Sequence, residues 1–241
     1  MTSERDFRLD CYKQRWVAYF DLLGIERLVR ESHAISVFDT LDDANEEFRH
    51  QRGLGQNVER LWFSDTYIFF SQDGSDASFA SVEKTARHFF LSLVQKGIPL
   101  RGAMAFGELY VDKENDIFFG KALVEAYRFG EHQDWIGFLL TPSTVDQMKA
   151  VGLPAQKRVY YRWSKIPWKT NCEKHNEDQG RYPENLFVCE FLSPEAGSDS
   201  CLKTLSQMEE RAQLSEIKQK YRNTIDFIRG YSKERIDDNS G

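Results

Sequence analysis

The sequence predicts an α+β domain: one sheet with helices on one face, then extra strands and a helix at the C-terminal end. Three observations predict it. The first half of the chain runs strand–helix–hairpin–helix–strand, the order of a βαββαβ unit. Two β-rich runs, Val58–Phe63 and Thr66–Phe70, are separated only by Ser64-Asp65, which makes them a hairpin with Asp65 at its tip. The 241 residues include 18 Phe, enough aromatic bulk for one sizeable core. One domain is therefore expected over 1–241, with a core over about 15–150 and an extension over 151–241.

Each element has a local reason. Arg15–Leu22 (RWVAYFDL) is an apolar run closing on an acid, a buried strand. Apolar residues from Leu28 to Phe48 suit one or two amphipathic helices after the Leu23-Gly24 turn. Ser75 to Lys96 carries Phe79, Val82, Ala86, Phe89, Phe90 and Leu93 at helical spacing, and Gly97-Ile98-Pro99 stops it. Leu100–Phe106 and Glu108–Val111 are expected as two strands meeting at Gly107. A helix from Gly120 to about Glu131, a strand Gly137–Leu140 and a helix opening at Pro142 follow. Val159–Trp163 and Leu186–Phe191 are expected as late strands. A single long helix from Leu202 to about Tyr231 closes the chain, with a stripe at Leu214, Ile217, Tyr221, Ile225 and Ile228.

Composition narrows the function classes. Hydrophobic residues are 41% and charged residues 29%, as in ordinary globular proteins. A net charge of −6 argues against general affinity for nucleic acid, whose phosphates need a basic face. No apolar run is long enough to span a bilayer, and MTSERDFRLD at the N-terminus has no apolar signal region. A cytoplasmic protein with free thiols is expected. Cys172 and His175 form a C-x-x-H pair, but the second tight pair of a structural zinc site is missing.

Asp21 and Asp65 stand out because both close or flank apolar β runs. A carboxylate at such an edge must be paired or desolvated, and a hard cation is one good partner. If the first strand neighbours the hairpin, the two acids converge on one metal pair. The alternative is a helix cap at Asp21 and a turn residue at Asp65. P-loop, dinucleotide-binding, nucleophile-elbow and zinc-protease signatures are absent.

Several stretches together resemble class III nucleotide cyclases. Phe20-Asp21-Leu22-Leu23-Gly24-Ile25 is similar to the first metal strand of that family, and Phe63-Ser64-Asp65 to its hairpin Gly-Asp. The acids lie 44 residues apart, which suits the family. Arg101–Gly107 (RGAMAFG) looks like its R-x-G-x-x-x-G strand, Phe119–Phe129 like its Y-G-x-x-V-N-x-A-x-R-L helix, and Phe138–Ser143 like the strand-then-Ser that follows. The match spans about 15–150. Three departures stand inside it. Val124 occupies the place of a ribose-orienting Asn, Leu61 that of a purine-reading Lys, and Ser64 that of a Gly. The first two count against adenylate and guanylate cyclase activity, while the short N-terminus, the absent sensor domain, the SDTYIFF hairpin and the retained Arg128 look most like the bacterial Pycsar pyrimidine cyclases, which make cyclic UMP or cyclic CMP in antiphage defence.

The resemblance implies a ferredoxin-like core and two Mn²⁺ or Mg²⁺ ions per site. The ions would be held by Asp21, Asp65 and the Leu22 carbonyl. Backbone amides from Leu23 through Gly24 to Ile25 would take the β- and γ-phosphates, and Arg128 from a partner chain would act at the α-phosphate. Phe20, Leu61, Phe63 and His50 would lie near the nucleotide. A homodimer with shared sites, a nucleoside triphosphate substrate and a separate cyclic-nucleotide-responsive effector are the implied partners, with no nucleic acid and no membrane. The rival readings are a degenerate cyclase-like binding or regulatory module, an adenylate or guanylate cyclase, a diguanylate-cyclase-type enzyme and a nucleic-acid-binding domain.

Overall fold

The computed structural model describes residues 11–24, 35, 38, 39, 41–43, 57–153, 159–170, 182, 183, 186–191 and 197–238. Most of the helical region expected between Leu28 and Phe48 lies outside them, as do Ile25, Arg49, His50, Cys172 and His175.

The strands are β1 (Tyr12–Leu22), β2 (Val58–Phe63), β3 (Thr66–Ser71), β4 (Leu100–Asp112), β5 (Ile117–Phe119), β6 (Phe138–Leu140), β7 (Tyr160–Trp163) and β8 (Leu186–Cys189). They form one sheet in the order β2-β3-β1-β4-β6-β8-β7, with β5 paired to β4. The first four are all antiparallel neighbours, which is the ferredoxin-like order. The helices are α1 (Asp76–Gln95), α2 (Lys121–Glu131), α3 (Pro142–Ala150), α4 (Gly197–Arg211) and α5 (Ser215–Asp238).

The α+β class is as expected, but the helices do not all lie on one face. Along β1, Trp16, Ala18, Phe20 and Leu22 join a large core with Phe79, Val82, Phe89 and Phe90 of α1. Val17 and Tyr19 point the other way, into a second cluster with Ile68, Phe70 and Ala122 and Ala126 of α2. The physical reason is in the sequence: a strand apolar at every position must be covered on both faces. Glycines allow close approach on both faces, Gly130 for α2 over Tyr19 and Gly102 for the Phe20 ring on the α1 face. A Cβ on Gly130 would lie 2.7 Å from the Tyr19 ring, and one on Gly102 would lie 2.4 Å from the Phe20 ring.

Two further expectations are corrected. β4 runs unbroken through Gly107, because its pairing with β1 continues from Leu22↔Leu100 to Tyr12↔Tyr110. The C-terminal helix is two helices, broken at 212–214. The buried stripe is divided: α4 buries Cys201 and Leu205 and α5 buries Tyr221, Ile225, Phe227 and Ile228, while Leu214 is 63% exposed between them. Cys189 is fully buried and donates to the Glu190 carbonyl, an inert thiol whose pKa burial pushes well up.

Candidate active site

The sheet brings the two acids to one end. Asp21 lies at the C-terminal end of β1, in register with Thr66 of β3. The Leu22 amide donates to the Asp65 carbonyl at 2.8 Å, so the hairpin tip is tied directly to the strand end that carries Asp21. Ser64 adopts φ +57°, the left-handed conformation that glycine takes without cost. This gives a backbone reason for a Gly-Asp hairpin, and Ser64 bears the strain here.

Asp21 is nearly buried and held by an arginine the sequence reading did not assign. Arg101, its cross-strand partner on β4, donates from Nε to Asp21 Oδ2 at 2.8 Å. Its Nη2 also reaches Asp21 Oδ2 at 2.7 Å and Glu131 Oε2 at 2.9 Å, and its Nη1 donates to the Gln133 carbonyl at 2.8 Å. Tyr19 donates to Glu131 Oε1 at 3.3 Å, and Lys169 lies 3.6 Å from Glu131. Gln133 is fully buried and donates to the carbonyls of Gly102 and Phe129. Arg101, Glu131 and Gln133 are the residues sequence reasoning missed. The signal was there in part, since a lone Arg opening an apolar strand needs a buried anion as much as Asp21 needs a cation.

Burial pushes the Asp21 carboxyl up to about 7, with Arg101 pulling against it and the Glu131 charge adding to it. Glu131 is also desolvated, yet the Arg101 and Lys169 charges hold it below the usual carboxylate range. The cluster keeps one arginine between two acids, so the pair shares a single strong counter-charge.

The other expected site residues fall into four groups. Leu61 and Phe63 share the Asp21 face of the sheet: Leu61 packs beside Ile68, and Phe63 is 78% exposed. On this face a cavity of about 300 Å³ is lined by Tyr19, Thr66, Ile68, Leu123, Val124 and Tyr127. Arg128 is half-buried on α2, one helical turn beyond Val124. Phe20 belongs to the opposite face, fully buried against Phe69, Phe89 and Phe138, so its side chain points away from the acids. Finally, the Leu23 amide donates to the Pro99 carbonyl at 2.8 Å and is committed within the protein. Gly24 follows it in the turn at φ +79°. Ile25 and His50 lie outside the described residues.

No family model matches the sequence, and no curated protein matches it. Solved structures do match. The catalytic core of a rhodopsin-guanylyl cyclase with converted specificity, in complex with ATPαS, superposes with a TM-score of 0.51 at 13% identity, over 74% of this chain and 95% of that chain. The guanylate cyclase domain of RhGC from Catenaria anguillulae in complex with GTP gives 0.49 at 13% identity, over 73% and 96%. The adenylyl cyclase CyaB from P. aeruginosa gives 0.47 at 16% identity, over 74% and 93%. The chain is thus an α+β domain built on an antiparallel ferredoxin-like core. Its fold is that of class III nucleotide cyclase catalytic domains.

Proposed function

We propose that this protein is a nucleotide cyclase that converts a pyrimidine nucleoside triphosphate, UTP before CTP, to the 3′,5′-cyclic nucleotide and pyrophosphate. One observation carries the reading: within a cyclase fold, β1 and the hairpin tip set Asp21 and Asp65 side by side at one sheet end.

The residues fit divalent cations. Two carboxylates are hard oxygen donors, and the buried one already requires a positive partner, which Arg101 supplies. Among the described residues no group of three or more His, Cys, Asp or Glu could hold a metal ion. Remaining ligands would therefore come from the Leu22 carbonyl and the substrate phosphates. When bound, Mn²⁺ or Mg²⁺ lowers the pKa of the ribose 3′-hydroxyl and neutralises the leaving phosphates. The protein's part is placement. Asp21 and Asp65 fix where the 3′-oxygen meets the α-phosphate, and the Gly24 turn donates toward the β- and γ-phosphates. Arg128, from the partner in a homodimer with shared sites, faces the charge that builds on the α-phosphoryl oxygens.

The base preference rests on two residues of β2. Leu61 and Phe63 offer an apolar wall with no donor for purine acceptors. Uracil over cytosine follows from a donor toward O4, a role open to Arg49 or His50, which precede the hairpin in sequence. The product would act as a second messenger read by a separate effector in antiphage defence. One observation favours a second reading, a degenerate nucleotide-binding module: Arg101 already occupies Asp21 Oδ2.

Supplying UTP, CTP, ATP and GTP together with manganese tests both. Cyclic UMP is the expected main product. Cyclic CMP in its place overturns the choice of uracil, cyclic AMP or cyclic GMP overturns the pyrimidine reading, and no product from any substrate leaves the degenerate module.

A further inference from the structure

The break between α4 and α5, where one continuous helix was expected, opens a second cavity of about 310 Å³. We propose that it is a binding site for a small apolar monoanion, such as an aromatic carboxylate, whose occupancy is felt at the Asp21 end of the sheet. The volume lies at the small end of the range for ligand pockets, about 300–1,000 Å³.

The walls set the ligand's chemistry. Met208, Ile217 and Tyr221 of the two C-terminal helices give an apolar body, and Arg211 and Lys220 add two cations. Lys220 is ion-paired with Asp134. Arg211 is exposed and has no ion pair among the described residues. The net charge at the cavity is therefore one positive, which favours a monoanion over a neutral ligand or a dianion. Arg211 stays hydrated beside a purely apolar ligand but adds a charge-assisted contact to a carboxylate, and a highly charged ligand would lose more solvation than this lining returns.

The same walls reach the candidate active site by two routes. Leu23, Gly24 and Pro99 close the far side, and the bond from the Leu23 amide to Pro99 ties them together. This is the turn that follows Asp21. The second route runs through α5. Asn223 donates to the Asp134 carbonyl at 2.9 Å, and Thr224 both accepts from and donates to the Ile136 backbone. The neighbouring Gln133 carbonyl holds Arg101, which holds Asp21. A ligand between α5 and the Leu23–Gly24 turn braces both supports of one carboxylate.

Binding is independent of the cyclase reading. Only a consequent change in turnover rests on it, so the test reads binding and backbone protection instead. The probes are naphthalene-2-carboxylate and its neutral counterpart 2-naphthylmethanol, titrated calorimetrically into the full chain. The carboxylate should bind at one site about tenfold tighter than the alcohol, the value of one charge-assisted contact. Arg211→Gln should narrow that gap to about threefold or less, and Ile217→Trp should fill the cavity and abolish both while the melt stays cooperative. Bound carboxylate should slow amide exchange in Leu22–Gly24. Equal affinity for the two probes, or binding that survives Ile217→Trp, overturns the site. Saturating binding with unchanged exchange in Leu22–Gly24 overturns the coupling. An absence of turnover with every nucleotide would sink the cyclase reading and leave these outcomes standing.

Discussion

Asp21 and Asp65 are neighbours across one sheet end, yet the fold treats them differently. Asp21 is built into β1, nearly buried, and clamped by an arginine that is itself held by Glu131 and the Gln133 carbonyl. Asp65 sits at a half-buried hairpin tip and is tied to β1 through its backbone carbonyl rather than its carboxylate. The first acid is preorganised at the expense of desolvation, and the second can adjust to whatever binds. Under the proposed cyclase function, one fixed and one adaptable carboxylate would take up a cation without rebuilding the sheet.

The strongest way to break this comparison is activity. Asp21→Ala and Asp65→Ala should each abolish cyclic nucleotide formation with manganese; wild-type turnover in either variant ends the metal assignment. Arg128→Ala should lose turnover as well, and mixing it with Asp65→Ala should restore part of it, because a mixed dimer holds one intact site. Confirmed mixed dimers with no recovery would count against sites shared between chains.

Stability separates the two acids where activity does not. Asp21→Ala removes one of the two carboxylates around Arg101, with Glu131 still holding the guanidinium, and should cost about 2 kcal/mol. Asp65→Ala should stay within about 0.5 kcal/mol of wild type. Denaturant unfolding of both variants measures the gap, and equal losses would erase the distinction drawn here.

A pH series sharpens it further. The Asp21 carboxyl is raised from 3.8 to about 7, so the folded protein keeps a proton that the unfolded chain has lost. Its contribution to stability should therefore fall as pH rises between those values. Without added metal, the melting temperature of Asp21→Asn should lose that part of the pH slope, and Asp65→Asn should retain it. The smallest effect is at the turn. Ser64→Gly relieves the left-handed backbone beside Asp65 and should stabilise by about 0.5 kcal/mol, the relief offset in part by a freer unfolded chain.

Much of the fold was legible because its signals are local. β1, the Ser64-Asp65 hairpin, α1 with its Gly97 stop, and α2 each follow from spacing within a few residues. The misses share a cause. The helix on the second face, the unbroken β4 and the division of the C-terminal helix depend on what each segment packs against, and that is set by chain far away in sequence.

The candidate site divides the same way. By itself the sequence singled out Asp21 and Asp65, because an acid among apolar β residues is conspicuous wherever it falls, and a two-residue turn fixes a hairpin. It could not place Arg101 against Asp21, 80 residues apart, or bring Glu131 and Gln133 around the arginine. Nor could it turn the Phe20 ring away from the acids, spend the Leu23 amide on Pro99, or open a cavity between two helices. Those were decided by strand register and close packing. A shift of one residue along β1 would carry every side chain to the other face, and only the assembled sheet forbids that shift.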